Sequence, residues 1–190
     1  MELKNFFNAI SPIEEKTWQV IDPFFQSAKL SKGQYFSRAN EVARKIAFLE
    51  TGVVRAFFTN KDGKEYNKQF FVAPSIIGGY TSLLTGKPNL IPQQALVDCT
   101  IWVADYQVLT SYYESLPDLE RFSRKIAEYY FLEKEKKELE IILLASTERY
   151  QLFQKEFPTL EQLIPQYYIA SYLGITPIQL SRIRHQLAKQ

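Results

Sequence analysis

Between Lys29 and Val108 the apolar positions come in short or alternating runs: KLSKGQYF, KIAFLETGVVRAFFTNKDGKEYNKQFFV, IIGGYTSLLTGKPN and QQALVDCTIWVAD. Alternation at a period of two, broken by Gly, Pro, Asn and Asp, predicts a series of short strands. Many such strands at this spacing make a sandwich or barrel. Asn60-Lys61-Asp62-Gly63, set between GVVRAFFT and KEYNKQFFV, predicts a hairpin, because Asp-Gly supplies the positive φ of a tight turn. Ahead of the strands, residues 2–26 read as helical, with Pro12 leading into a segment whose Ile13, Trp18 and Ile21 would dock onto the barrel.

The texture changes near residue 114. Pro117-Asp118 opens a stretch with no Gly or Pro before Pro158, and this predicts a long helix over 118–145. Leu119, Phe122, Ile126, Tyr129, Leu132, Leu139 and Leu143 follow 3-4 spacing along it, interrupted by Lys136. Such a stripe fits a helix paired with its own copy, and equally a helix packed on the sheet of its own chain. The run Glu133-Lys134-Glu135-Lys136-Lys137-Glu138 reads as a solvated face with local ion pairs.

Near the C-terminus stands YLGITPIQLSRIRHQL, residues 172–187. Gln166–Leu173 predicts one helical segment, Gly174 breaks it, and Thr176-Pro177 starts another. Thr176 would be the N-cap, Pro177 the first helical residue and Gln179 the capping-box partner. Ile169, Ala170, Leu173, Ile175, Leu180 and Ile183 then face inward, leaving Pro177, Ile178, Ser181, Arg182 and His185 on the outer face. This is the spacing of a helix-turn-helix, whose second helix enters the DNA major groove. From Leu163 to Gln190 there is no Asp or Glu, while Arg182, Arg184 and Lys189 are present. A surface that approaches phosphates is better without carboxylates, and an Arg fork matches guanine O6 and N7. An ordinary two-helix hairpin with a solvated basic face would share the spacing.

Composition narrows the remaining classes. The chain has 190 residues, 46 % hydrophobic and 23 % charged, with a formal net charge of +2, so basic charge is placed rather than abundant. No apolar run approaches the roughly 20 residues of a bilayer crossing. The N-terminal segment lacks the basic and apolar regions of a signal peptide, so a cytoplasmic location is expected and no membrane partner. One cysteine, Cys99, one histidine, His185, and one Met leave almost nothing to ligate zinc, haem or an iron-sulfur cluster, so neither a metal nor a cofactor is expected. With the lone histidine in the segment read as DNA-facing, no catalytic residues are assigned.

The predicted roll, the long helix and then IPQYYIASYLGITPIQLSRIR together resemble the Crp/Fnr family of bacterial transcription regulators over essentially the whole chain. The resemblance implies an α+β fold: an N-terminal antiparallel, jelly-roll-like β-roll as cyclic-nucleotide-binding-like sensor (1–114), a dimerisation helix (115–145) and a helix-turn-helix DNA-binding domain (146–190). The sequence ends at Gln190, so a C-terminal wing is expected to be lacking. The implied partners are a palindromic double-stranded operator, a second copy of the chain, an effector of unidentified chemistry and, as a further candidate, RNA polymerase. Gln166, Thr176, Pro177, Ile178, Ser181, Arg182, His185 and Lys189 would face DNA. In the family the Arg at position 182 reads a guanine, and Ile178 stands where relatives commonly carry a Glu. Leu119, Phe122, Ile126 and Tyr129 would form the dimer interface.

The family's nucleotide cassette pairs Gly-Glu with a later Arg-Ser/Thr-Ala, the Glu taking the ribose hydroxyl and the Arg the phosphate. Gly78-Gly79 and Gln93-Gln94-Ala95 stand at these places, giving Gly78, Gly79, Gln93 and Gln94 as effector-pocket candidates without either charge. A neutral Gln cannot replace the charge-assisted contact of Arg with phosphate, so cyclic AMP is not the expected effector. Lys68, Lys87 and Arg55 are candidate substitutes for a different anion. Two alternatives remain open. One is an effector-independent DNA-binding regulator with a vestigial pocket; the other is an interaction module without DNA binding, favoured if the outer face of the 177–190 helix is buried.

Overall fold

Ala47, Phe48 and Leu49 are consecutive and all buried, yet they serve two different cores. Successive side chains of a strand leave on opposite faces. Ala47 and Leu49 therefore enter a cluster with Leu30, Val54, Phe71, Ile77, Ala95 and Ile101, while Phe48 enters another with Leu3, Phe7, Trp18, Ile21 and Phe122.

The computed structural model describes residues 2–189. Its strands are β1 (Gln26–Leu30), β2 (Tyr35–Ser37), β3 (Lys45–Thr51), β4 (Val53–Thr59), β5 (Glu65–Val72), β6 (Ser75–Gly78), β7 (Gln93–Ala95) and β8 (Cys99–Asp105). They form two four-stranded sheets, β1-β8-β3-β6 and β2-β7-β4-β5. The pairs β1–β8, β3–β8, β3–β6, β2–β7 and β4–β7 are antiparallel. The predicted hairpin turn joins β4 to β5. Gly63 takes φ +77, its N–H donates to the Asn60 carbonyl (3.1 Å), and Asn60 Oδ1 accepts from the N–H groups of Asp62 and Lys64 at 3.0 and 2.9 Å.

Helices α1 (Glu2–Ile10) and α2 (Glu15–Ile21) cover the outer face of the first sheet. The predicted anchors Ile13, Trp18 and Ile21 are all buried there. The run IIGGYTSLLTGKPN is only partly a strand: β6 stops at Gly78 and Tyr80–Thr85 forms α3, closed by Gly86 at φ +68. A short apolar run does not distinguish the two states by periodicity. After β8, α4 (Tyr106–Thr110) is capped by Asp105, whose Oδ1 accepts from the N–H groups of Gln107 and Val108.

The long helix α5 (Pro117–Leu143) corrects two of the four predicted dimer residues. Leu119 and Phe122 are 2 % and 5 % exposed, and the Phe122 ring stacks on Phe7 at 3.8 Å between centroids. Ile126 is half-buried against the same cluster. Leu119 and Phe122 pack within their own chain and are not available to a partner, while Ile126 keeps a partly exposed edge. Tyr129 is exposed, as are Phe131, Leu132, Leu139, Ile142 and Leu143 further along.

The chain forms two compact units, the first of residues up to 56 with 70–131, the second of 57–69 with the residues from 132 onward. The second contains the end of α5, then α6 (Ser146–Glu156), α7 (Leu160–Leu163), α8 (Gln166–Tyr172) and α9 (Pro177–Leu187). The wing expected to be lacking would lie beyond Lys189, outside the described residues.

Candidate nucleic-acid interface

Two helices and a short turn build the surface. Ile169, Ala170, Leu173 and Leu180 are fully buried and Ile183 nearly so, which fixes the inner seam of α8 and α9. Ala170 is small where the chain folds back: its carbonyl accepts from Ile175 N–H at 3.0 Å across the turn. Gly174 takes φ +69, a conformation that a side chain would strain. The cap predicted for α9 is present. Thr176 Oγ1 accepts from Gln179 N–H at 3.2 Å, and Gln179 Oε1 accepts from Thr176 N–H at 2.9 Å.

Neighbouring elements hold this pair in place. Arg149 on α6 donates from Nε to the Leu173 carbonyl at 3.1 Å and from Nη1 to the Leu144 carbonyl at 2.6 Å, satisfying carbonyls at the ends of α8 and α5. Arg184 is turned away from the outer face and pairs with Glu161 at 3.1 Å. Glu161 also accepts from the Tyr150 hydroxyl at 2.6 Å; burial and this carboxylate push Tyr150 up to about 12. Lys137 lies 4.0 Å over the ring of Tyr172, and burial, reinforced by the carboxylates of Glu156, Glu140 and Glu133, raises that phenol well above its usual range. Arg184 is thus neutralised by a carboxylate of its own chain, while Arg182, His185 and Lys189 are exposed.

Gln166, Thr176, Pro177, Ile178, Ser181, Arg182, His185 and Lys189 are all exposed. Leu180 and Ile183 point inward from α9, so 3.6-residue geometry gathers Ile178, Ser181, Arg182 and His185 on one outward strip. Gln166 and Pro177 stand at the N-terminal ends of α8 and α9. A feature missed from sequence lies beside those ends. The β4–β5 hairpin is bonded to α8: Asn67 N–H donates to Ser171 Oγ (2.9 Å), Ser171 Oγ donates to the Glu65 carbonyl (3.1 Å), and Asn67 Nδ2 donates to the Tyr168 carbonyl (3.3 Å).

The four effector-pocket candidates lie together in the first unit, but their polar atoms are largely turned on the protein itself. Gln93 is 3 % exposed and donates from Nε2 to the Gly78 carbonyl at 3.0 Å, while its Oε1 is buried without a hydrogen-bond partner. Gln94 Oε1 accepts from Arg55 Nε and Nη2 at 3.0 and 2.7 Å, and its Nε2 donates to the Gly33 carbonyl. At Gly79 a Cβ would stand 3.2 Å from Ala43 Cβ and 3.3 Å from the Asn89 side chain. Asn89 is buried and bonds Ile91 through both amide atoms. Of the candidate anion substitutes, Arg55 is buried against Gln94, Lys87 is exposed, and Lys68 belongs to the second unit, where burial and the neighbouring Lys134 lower its pKa.

Residues 28–115 match the family model described as Cyclic nucleotide-binding domain. No curated protein matches the sequence. Among solved structures, the chain is similar to FixK2 from Bradyrhizobium japonicum, with a TM-score of 0.78 at 18 % identity, covering 87 % of this chain and 85 % of that one. It is similar to the c-di-GMP responsive global regulator CLP of Xanthomonas campestris, with a TM-score of 0.72 at 15 % identity over 93 % and 92 % of the two chains. A CooA mutant from Carboxydothermus hydrogenoformans gives a TM-score of 0.67 at 17 % identity over 93 % and 81 %. Residues 28–115 are thus similar to a cyclic nucleotide-binding domain, and the α+β fold, with antiparallel sheets and a long helix, is the fold of these solved structures. Among the described residues no helix is long and apolar enough to cross a membrane.

Proposed function

We propose that this protein is a homodimeric, DNA-binding transcription regulator of the Crp/Fnr type, with residues 1–114 as sensor, 115–145 as dimerisation helix and 146–190 as helix-turn-helix domain. The observation that carries the reading is the outer face of α9. Ile178, Ser181, Arg182 and His185 are exposed on a rigidly capped helix, in a segment without carboxylates, over a fully buried seam. Such a helix can enter a major groove, with Arg182 offering two donors to guanine O6 and N7. The reading without DNA binding would be favoured by a covered face; the exposure of this face supports the regulator.

Dimerisation is assigned to the second half of α5. Leu132, Leu139 and Leu143 lie within about 40° of one another around the helix, at 100° per residue, and Tyr129 and Lys136 flank them. Gly79 with Gln93 supplies neither charge of the nucleotide cassette, and Asn89 and Arg55 already engage its neighbours. In this reading the regulator works without cyclic AMP, either through another effector or through none.

Selection of bound sites from random double-stranded DNA tests the proposal. The expected product is an inverted repeat whose half-sites are centred about 10 base pairs, one helical turn, apart. Failure to enrich any sequence over the starting pool at low salt would overturn it.

A further inference from the structure

A groove of about 490 Å³ separates the β4–β5 hairpin from the turn of the α8–α9 pair. Lys64, Tyr66, Tyr167, Thr176, Pro177 and Gln179 are among the residues that line it. It thus opens at the N-terminal ends of α8 and α9, the ends that a helix-turn-helix directs at the DNA backbone. The hairpin wall is not a loose loop. Its tip is closed by the Asn60 hydrogen bonds and its β5 arm is bonded to α8 through Asn67, Glu65 and Ser171. The tip carries Lys61 and Lys64, both exposed, and Lys64 Nζ lies 5.0 Å from the Tyr66 ring. Asp62, the acid at the tip, points back to Asn60 Nδ2 at 3.4 Å.

We propose that this hairpin is a second DNA-backbone contact: Lys61 and Lys64 bind phosphates of the strand that crosses the N-terminal ends of α8 and α9. The inference rests on the DNA-binding reading and adds to it a surface from outside residues 146–190. Charge complementarity and continuity with the outer face of α9 argue for DNA as the occupant. The groove is also lined by Glu65, and its two amides are spent inside the protein, Asn67 on the Tyr168 carbonyl and Gln179 on the cap of α9, so the lysine contacts add affinity for any sequence and no base preference.

The test measures the wild-type chain, Lys61→Ala/Lys64→Ala and Lys61→Arg/Lys64→Arg on the selected operator and on its single-base variants, across a salt series. The alanine pair is expected to bind every sequence about 5- to 20-fold more weakly and to flatten the plot of log affinity against log salt by about one for each phosphate no longer neutralised. The arginine pair should bind like wild type, and hydroxyl-radical footprints of the alanine pair should lack one protected stretch of backbone beside the α9 footprint. An alanine pair with wild-type affinity and salt slope overturns the proposal while leaving the regulator reading intact. A wild-type chain that binds no DNA overturns both.

Discussion

Asp118 shows what a single carboxylate does at the start of α5. It is 8 % exposed, and its oxygens accept from Glu14 N–H at 2.9 Å, Thr17 hydroxyl at 2.8 Å and Leu119 N–H at 3.1 Å. Burial pushes its pKa up, but these donors outweigh it and hold the carboxyl below its usual value. A depressed folded pKa contributes stability above the unfolded pKa, near 3.9, and that contribution is lost as pH falls through the folded value. Asp118→Asn should therefore cost about 1 to 3 kcal/mol at pH 7 and much less near pH 2. Urea unfolding at the two pH values checks this, and an equal loss at both would disprove it. On α9, Arg182→Ala should cost about 1 to 3 kcal/mol per half-site and relax preference at one base pair. Lys189→Ala should weaken all sequences alike and flatten the salt dependence. Binding to single-base operator variants separates the two; an equal loss on every sequence after Arg182→Ala would make Arg182 a phosphate contact. With Ile178 in place of a polar reader, the neighbouring base pair should be read weakly or through an apolar contact with a thymine methyl. Thr176, Pro177 and Gln179 were legible in the sequence because capping is local chemistry. The internal pairing of Arg184 with Glu161 was not, because it joins residues 23 positions apart that meet only after folding.

Helix α5 shows the limit of periodicity at the scale of an element. Its 3-4 stripe keeps one spacing from Leu119 to Leu143, interrupted at Lys136, yet the first part packs on Phe7 and Phe48 of its own chain while Leu132, Leu139 and Leu143 stay exposed. A helix laid on a sheet and a helix laid on a helix need the same spacing, so the pattern cannot say where one role gives way to the other. The structure turns this into a contrast between variants. Leu132→Glu/Leu139→Glu should leave the thermal transition nearly unchanged and shift sedimentation from dimer to monomer, since like charges would meet across a two-fold contact. Phe122→Glu should instead destabilise the fold by several kcal/mol, because a carboxylate would be buried beside Phe7. A Leu132→Glu/Leu139→Glu protein that still sediments as a dimer would remove the second half of α5 from the interface. The β4–β5 hairpin was readable as a hairpin from Asn60-Lys61-Asp62-Gly63. Its bonds to α8 were not, since Asn67 and Ser171 are 104 residues apart and neither is unusual in its own segment.

For the whole molecule, the order of roll, long helix and helical pair was legible because each part has its own period and turn chemistry. What the roll binds was legible only as a departure, from Gly79 and Gln93 where the resembling family carries Glu and Arg. The structure gives that departure a physical content. Gln93 Nε2 is spent on the Gly78 carbonyl, Gln94 is held by Arg55, and the Asn89 amide would lie only 3.3 Å from a Cβ at position 79. A ligand shifts a two-state protein only by its difference in affinity between the states, and on the proposed reading a cassette without a carboxylate for the ribose or a guanidinium for the phosphate would give cyclic AMP little affinity for either. Operator binding should therefore be the same, within about twofold, with no nucleotide and with millimolar cyclic AMP, and calorimetric titration should show no heat of binding in the micromolar range. A dissociation constant near 1 µM, about −8 kcal/mol, would require a phosphate partner other than Gln93. Arg55, already buried against Gln94, would be the residue to replace next: if Arg55→Gln abolished that binding without lowering the melting temperature, the roll would be a nucleotide sensor built on a different arginine.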